Sequence, residues 1–228
     1  LSPFVLAALS VWFVGRNAGS ARMLAVWPAV LAAVLAKEFH SSLNVGPRVV
    51  ELSWAPSLGL SLSFNLDGLG LLFAVIITAI GALVVLYASR YLEDHPQAGR
   101  FYASLFAFMG AMLGVALSDN ILTLFVFWEL TGFTSLLLIG FEHERGDARS
   151  AALQALIVTG AGGLALLAAG VLLVDISGST SLSAMAASRA SIVAHPFYGA
   201  ITGLVLLAAL TKSAQVPFHF WLPNAMAA

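Results

Sequence analysis

The run Ile121-Leu122-Thr123-Leu124-Phe125-Val126-Phe127-Trp128-Glu129-Leu130-Thr131-Gly132-Phe133-Thr134-Ser135-Leu136-Leu137-Leu138-Ile139-Gly140-Phe141 holds a single charge, Glu129. It is as long as a bilayer-crossing helix, which needs about 20 mostly apolar residues to span roughly 30 Å of hydrocarbon. Glu129 stands eight residues beyond Ile121 and twelve before Phe141. With 1.5 Å of rise per residue, that is about 12 Å into the helix, near the bilayer middle. Further along, Lys212 stands fifteen residues past Phe197 and ten before Leu222, inside another apolar run. One acid and one base at matching depth suggest a pair.

The rest of the chain has the same character. Of 228 residues, 60% are hydrophobic and 9% charged, against about a quarter charged in ordinary soluble domains. This excludes a water-soluble globule. Net charge is −1, so there is no basic field for nucleic acid. The chain has no cysteine, which removes disulfides, iron–sulfur ligation and thiolate metal sites. The patterns G-x-G-x-x-G, G-x-x-x-x-G-K-[ST] and H-E-x-x-H are absent, leaving nucleotide and zinc-hydrolase readings without support. No cofactor and no metal is expected. Because the sequence opens on Leu1 and stops at Ala228 in an apolar stretch, it reads as a fragment of a longer protein.

Seven apolar runs are candidate membrane helices: Pro3–Gly15, Met23–Ala36, Gly68–Ser89, Phe101–Leu117, Ile121–Phe141, Ala151–Val174 and Phe197–Leu222. The first two form a helical hairpin rather than a signal peptide followed by a mature start, since no small-residue cleavage site separates them. Positive residues stay on the cytoplasmic side. The connections after spans one, three and five hold Arg16, Arg22, Arg90, Arg100, Arg145 and Arg149, and the others hold Lys37, Arg48 and Arg189. That asymmetry places the N-terminus outside.

Between spans two and three, Leu58, Leu60, Leu62, Phe64 and Leu66 alternate with Gly59, Ser61, Ser63, Asn65 and Asp67, a strand period. Val49–Trp54 can pair with them across Ala55-Pro56-Ser57, giving an outside β-hairpin. Asp67 or Asn65 then caps the third helix. Ser177–Ser191 is a Ser/Ala-rich outside connector. Gly110 and Gly114 on span four, and Gly160, Gly162 and Gly163 on span six, allow close helix approach.

An ionised side chain at the bilayer centre costs about 2.5–3.5 kcal/mol on insertion scales, and such residues face the bundle interior, pair, and mark ion routes. Burial disfavours an ammonium while a nearby carboxylate favours it, so changing the Glu129–Lys212 separation would load or unload a proton. The alternative is a static pair that only fixes packing. After Lys212, Pro217 removes a donor and displaces the carbonyl of Ser213, so the seventh helix should break or bend. Discontinuous helices of this kind build transporter sites. His219 would share the face of Lys212 if the helix resumed in register, as a proton relay or as an ordinary satisfied imidazole. Thr123, Thr131, Thr134, Ser135 and Thr159 could bridge helices or hold water near Glu129. Glu142, His143, Glu144, Arg145, Asp147 and Arg149 form a charged inside loop, and His95 and His195 precede prolines in loops. Of the tryptophans Trp12, Trp27, Trp54, Trp128 and Trp221, only Trp128 adjoins the buried acid.

Two blocks carry a resemblance: Asp119-Asn120-Ile121-Leu122-Thr123-Leu124-Phe125-Val126-Phe127-Trp128-Glu129-Leu130-Thr131 and Thr211-Lys212-Ser213-Ala214-Gln215-Val216-Pro217-Phe218-His219-Phe220-Trp221-Leu222-Pro223-Asn224-Ala225-Met226. They resemble the antiporter-like subunits shared by respiratory complex I and the Mrp-type multisubunit cation/proton antiporters, most of all the large A subunit of the Mrp complex. The resemblance implies an all-α polytopic membrane protein with about seven transmembrane helices, a broken seventh helix and a small extracytoplasmic β-hairpin, the first part of an inverted-repeat antiporter fold. It divides the chain into an N-terminal helical hairpin and outside connection (1–57), a region like the N-terminal part of complex I chain 5 (58–117), and a partial proton-antiporter domain (118–228). On the matching positions Glu129 would be the essential acid, Lys212 the lysine of the broken helix and His219 the histidine beyond it.

The function so implied is proton translocation within a Na+/H+ antiporter of the cell membrane. It is not an enzyme, its partners are the lipid bilayer, other membrane subunits, protons and monovalent cations, and nucleic acid is not among them. The alternatives are a proton-pumping membrane subunit of NADH:quinone oxidoreductase, and a non-transporting seven-span receptor or scaffold.

Overall fold

The computed structural model describes residues 2–14, 20–55, 60–93 and 95–228. The elements are α1 (Ser2–Val14), α2 (Ser20–Met23), α3 (Val26–Val45), β1 (Arg48–Ala55), β2 (Leu60–Leu66), α4 (Gly68–Tyr91), α5 (Ala98–Leu117), α6 (Ile121–Ile139), α7 (Gly146–Ser177), α8 (Leu182–Ala187), α9 (Arg189–Ala194), α10 (Tyr198–Lys212), a 3-10 turn (Phe218–Phe220) and α11 (Trp221–Ala227). Among the described residues five helical stretches are long and apolar enough to cross a membrane: Ala21–Val45, α4, α5, α6 and α7. Ser2–Val11 and α10 are apolar but shorter. The chain is a multi-pass membrane protein, mostly helical, with one two-stranded sheet.

The helices bury many alanines and display many large apolar residues. Ala74, Ala82, Ala88, Ala148, Ala152, Ala155 and Ala169 are buried, whereas Leu69, Leu83, Ile157 and Leu164 are exposed. In water that distribution would be inverted. In lipid, helices associate through close backbone approach at small residues, and large apolar side chains face the acyl chains.

The chain divides into two compact units, one of Leu1–Val50 and Phe64–Leu117, the other of Glu51–Ser63 and Ser118–Ala228. In the first, α1 packs on α5, and α3 and α5 pack on α4. Gly110 of α5 receives the Phe4 ring so closely that an added Cβ would lie 3.0 Å from it. Trp27 meets the buried Phe106 edge-on, with ring centroids 6.4 Å apart. The α4 N-terminus is capped by Asp67, whose Oδ1 accepts from the Gly70 N–H at 2.6 Å. That leaves Asn65 Oδ1 buried without a hydrogen-bond partner among the described residues.

Several boundaries differ from those read in the sequence. The second span runs on to Val45, so Lys37 and Glu38 belong to α3 and not to a connection. They occupy the polar continuation of an apolar helix, which stops at Gly46, where φ is +90° and glycine carries no Cβ penalty. The sixth span starts earlier and ends later, at Gly146 and Ser177, and its 32 residues extend about 48 Å, beyond the hydrocarbon thickness. Asp147, Arg149 and Asp175 sit on those overhangs. The Ser/Ala-rich connector contains α8 and α9. β1 and β2 pair as expected, while Arg16, Leu58, Gly59 and most of the turn at Ala55-Pro56-Ser57 fall outside the described residues.

Candidate functional site

The site lies in the second unit, on α6, α7 and α10. Asn120 caps α6, its Oδ1 accepting from the N–H groups of Leu122 at 3.0 Å and Thr123 at 3.2 Å, and its Nδ2 donates to Thr180 Oγ1 at 3.0 Å. Next to it the buried Asp119 carboxylate accepts from Ser181 Oγ at 2.8 Å, Ser183 Oγ at 3.0 Å and Ser183 N–H at 3.0 Å. Asn120 and Ser181 also form a β-bridge. The start of α6 is thereby fastened to the segment that follows α7. This fixes the register between the helix that carries Glu129 and the helix it packs on.

Glu129 is half-buried and its carboxylate lies against the backbone of α7. A Cβ added to Gly160 would come within 3.8 Å of Glu129 Oε2, and a Cβ at Gly163 would fall on the place of Oε1. The Gly160-x-x-Gly163 spacing puts both glycines on one helix face, forming a notch that any side chain would fill. One residue away, Gly162 takes the Thr211 side chain of α10 in the same manner. The cluster Gly160, Gly162 and Gly163 therefore serves two seats, one for the acid and one for the residue before Lys212.

Lys212 is the last residue of α10. Its Nζ donates to the Trp128 carbonyl oxygen at 3.2 Å and lies 5.4 Å from the Trp128 ring centroid. A Cβ on Gly132 would be 3.7 Å from Nζ, at ordinary contact distance, which places that residue beside the ammonium. Glu129 stands on α6 and Lys212 on α10. They are not among the ion pairs within 4.0 Å of the described residues, which are Arg90–Glu93, Arg145–Glu142 and Arg145–Asp147. The ammonium rests one residue along α6 from the acid.

The seventh span breaks after Lys212. Gln215 N–H bonds the Leu210 carbonyl at 2.9 Å, Ala214 N–H bonds that of Thr211 at 3.4 Å, and Ala214 has φ of +51°. This is a Schellman C-cap, the end that glycine usually supplies. The expectation of a break holds, but the helix has already stopped before the carbonyl that Pro217 would displace. His219 consequently does not share a helix face with Lys212; it is exposed on the 3-10 turn. The chain resumes as α11, where Trp221 Nε1 donates to the Thr211 carbonyl at 3.0 Å and Asn224 Nδ2 to Gln154 Oε1 at 2.7 Å.

The hydroxyls near the site turn back on their own helices. Thr131 donates to the Trp128 carbonyl at 2.7 Å, Thr134 to Leu130 at 2.7 Å, Ser135 to Gly132 at 2.8 Å and Thr159 to Ala155 at 2.8 Å. Such bonds leave a helix interior quiet rather than cross-linked. His95 and His195 each accept a nearby backbone N–H on Nδ1, from Gln97 and Phe197 at 3.2 Å. In the charged loop Arg145 bridges Asp147 at 2.6 Å and Glu142 at 3.2 Å. These hydrogen bonds, that to Asp147 foremost, hold its guanidinium above the usual arginine range. A cavity of about 260 Å³ lies at the start of α7, lined by Asp147, Ser150, Gln154 and Asn224 among others.

Sequence reading missed the roles of Asp119 and the Trp128 carbonyl. That of Asp119 could have been found, because Asp-Asn directly before an apolar run is a helix-start signature. The carbonyl could not, because every residue carries one.

Fold and site together define a class: a multi-pass membrane chain in which a half-buried acid and a lysine at a helix break share three packed helices. Residues 118–228 match the family described as "NADH:quinone oxidoreductase/Mrp antiporter, TM", and residues 53–102 that described as "NADH-Ubiquinone oxidoreductase (complex I), chain 5 N-terminus". The A/B subunit of a probable K(+)/H(+) antiporter of Rhizobium meliloti (strain 1021) is 44% identical over 100% of this chain and 23% of its own length. The A1 subunit of a Na(+)/H(+) antiporter of Staphylococcus haemolyticus (strain JCSC1435) is 47% identical over 82% of this chain and 24% of its own. A chain in the structure of the Mrp complex from Dietzia sp. DQ12-45-1b superposes with a TM-score of 0.88 at 35% identity, over 99% of this chain and 24% of that one. The chain spans about a quarter of the length of these relatives. It belongs to the family of antiporter-like membrane subunits that the Mrp antiporters share with NADH:quinone oxidoreductase, as the two sequence blocks imply.

Proposed function

We propose that the chain is part of a membrane subunit of a multisubunit antiporter that exchanges a monovalent cation, Na+ or another, for H+ across the cell membrane. One observation carries this reading: the Lys212 ammonium, at the end of a broken helix, lies on α6 one residue from Glu129. An ionisable pair at this depth is expensive unless it works. Two positions for the ammonium, on the Trp128 carbonyl and on the Glu129 carboxylate, differ in how well they hold the proton. Movement between them, with water reaching Nζ at the break, releases the proton from the ammonium to water and onward to the His219 imidazole. Lys212 is left neutral and reloads from the opposite side.

The same reading supplies the architecture around the site. The chain crosses seven times, counting α1 and the broken α10–α11 segment with the five long helices, from an outside N-terminus and with the β1–β2 hairpin outside. It is organised as 1–57, 58–117 and 118–228, among further membrane subunits. The arginine-rich connections after the odd-numbered spans support this orientation.

The test uses the complete assembly in inside-out vesicles. Glu129→Gln and Lys212→Ala should each reduce cation/proton exchange to below about one-tenth, the range expected when a proton-transfer group is lost, while the complex still assembles on a native gel. His219→Ala should slow exchange several-fold. Wild-type rates in either of the first two variants would refute the assignment.

A second reading is favoured by the match of residues 53–102 to the complex I chain 5 family: the same pair in a proton-pumping subunit of NADH:quinone oxidoreductase. Exchange driven by an imposed cation gradient, without NADH or quinone, decides for the antiporter.

A further inference from the structure

We propose that Trp128 is a positioning residue for Lys212, its carbonyl oxygen and indole face together forming a resting place for the ammonium beside the Glu129 carboxylate. The inference rests on the reading of Lys212 as the proton carrier and adds the group that holds it when it is off the acid.

Three features build the place. The carbonyl accepts from Nζ at 3.2 Å, and the Thr131 hydroxyl, donating to the same oxygen at 2.7 Å, orients its lone pairs. The ring centroid is 5.4 Å from Nζ, inside the roughly 6 Å within which an aromatic face attracts a cation. Gly132, one turn along α6, flanks the ammonium, and a Cβ there would stand at contact distance, 3.7 Å, from Nζ. The ring is held by packing and not by its polar end. The Trp128 Nε1 is buried with no hydrogen-bond partner among the described residues, and Trp128 Cδ1 lies at contact distance, 3.4 Å, from where a Gly163 Cβ would stand. Tryptophan is used here for its face and its backbone.

Few other charges reach Lys212. From α6 the neighbour is Glu129. α7 carries no charged residue between Arg149 and Asp175, α9 carries Arg189 at the far end of α10, and the 3-10 turn carries the exposed His219. The face of Trp128 and the Glu129 carboxylate are therefore the two stations between which the ammonium divides. Weakening the first leaves the ammonium less well held, and the protonated form then persists only to lower pH.

The experiment replaces Trp128 site-specifically with mono-, di- and trifluorinated tryptophan in the complete assembly. Fluorine draws electron density from the ring face at nearly constant size, so assembly is not at stake. The alkaline limb of the pH profile of cation/proton exchange should move to lower pH step by step. The full loss of the face, in Trp128→Leu, should shift it by about one pH unit, the size of a partly desolvated cation–π contact. Trp128→Phe should lie between wild type and Leu. It removes no satisfied hydrogen bond, because the indole N–H has no acceptor among the described residues. An alkaline limb that stays in place across the fluorinated series overturns the proposal. Lys212→Ala separates the two levels: wild-type exchange in that variant defeats the reading of Lys212 itself, whereas an inactive Lys212→Ala with an unmoved fluorinated series defeats the role of Trp128 alone.

Discussion

The indole nitrogen of Trp221 donates to the carbonyl oxygen of Thr211 at 3.0 Å, so the helix beyond the break is tied to the last turn of the helix before it. Thr211 is one of the last four residues of the helix, whose carbonyls lack the usual partner four residues on; the cap gives it the Ala214 N–H at 3.4 Å, and Trp221 adds a shorter bond from ten residues along the chain. Trp221→Phe keeps the ring and removes the donor. The expected loss is about 1 kcal/mol, the net worth of one such bond. It should appear as faster amide hydrogen exchange at Ser213–Gln215 in the assembled complex, and exchange at the wild-type rate would mean that the break is held by other contacts.

Ala214 occupies the left-handed position of the cap, with φ of +51°. That conformation costs an L-residue about 1–2 kcal/mol, while glycine gives back roughly 0.5–1 kcal/mol through the freedom it adds to the unfolded chain. Ala214→Gly should therefore stabilise the break by something under about 1 kcal/mol. Ala214→Val, branched at Cβ, should destabilise it. Thermal inactivation of the complex ranks the three. The order Gly, Ala, Val supports the strain argument, and any order with Val above Ala contradicts it.

These predictions depend on features of very different legibility. The apolar runs, the strand alternation before Asp67 and the two stranded charges can be read directly, because membrane depth and period are properties of residue type and spacing. The break after Lys212 is legible through Pro217, yet its position is not. It is set by an Ala in a conformation that sequence assigns to Gly or Asn. The face of His219 is lost for the same reason, since it follows from where the helix stops. Lys37 and Glu38 mark a helix that outlasts its apolar run, which a hydropathy reading truncates. Least legible is the seat of Glu129: the glycines at 160 and 163 announce close approach, but which side chain comes into the notch depends on how α6 is rotated against α7.

That rotation is governed by Asp119. Its carboxylate is buried and accepts three hydrogen bonds from Ser181 and Ser183. Asp119→Ala leaves those donors unsatisfied, at a cost of about 2–3 kcal/mol for bonds to a charged acceptor. Asp119→Asn keeps one accepting oxygen and turns an amide NH2 toward a donor, so it should cost less. Limited proteolysis across residues 178–183 is the direct measurement. Cleavage should be fastest in the Ala variant and intermediate in Asn. Equal resistance in all three proteins would show that the β-bridge between Asn120 and Ser181 suffices without the carboxylate.

The glycines of α7 give the sharpest contrast. A Cβ at Gly162 would occupy the place of Thr211 Oγ1, and one at Gly163 that of Glu129 Oε1, whereas one at Gly203 of α10 would stand in open space among the described residues. Overfilling a packed contact costs about 1–3 kcal/mol, and in these two cases the group displaced is the acid itself or the residue next to Lys212. Gly163→Ala should therefore lower exchange at least tenfold in the assembled complex, and Gly162→Ala should lower stability and exchange together. Gly203→Ala should leave exchange intact and add a few tenths of a kcal/mol or more through helix propensity, since alanine is favoured over glycine by about 1 kcal/mol in a helix. The double variant Gly162→Ala/Thr211→Ala removes the Oγ1 that the new methyl strikes and keeps Cβ, which would stand 2.9 Å from it. If the loss in Gly162→Ala is steric, the double variant recovers part of it, a coupling of opposite sign to simple additivity. If the losses merely add, the damage comes from the α7 backbone and the notch is not a seat for α10.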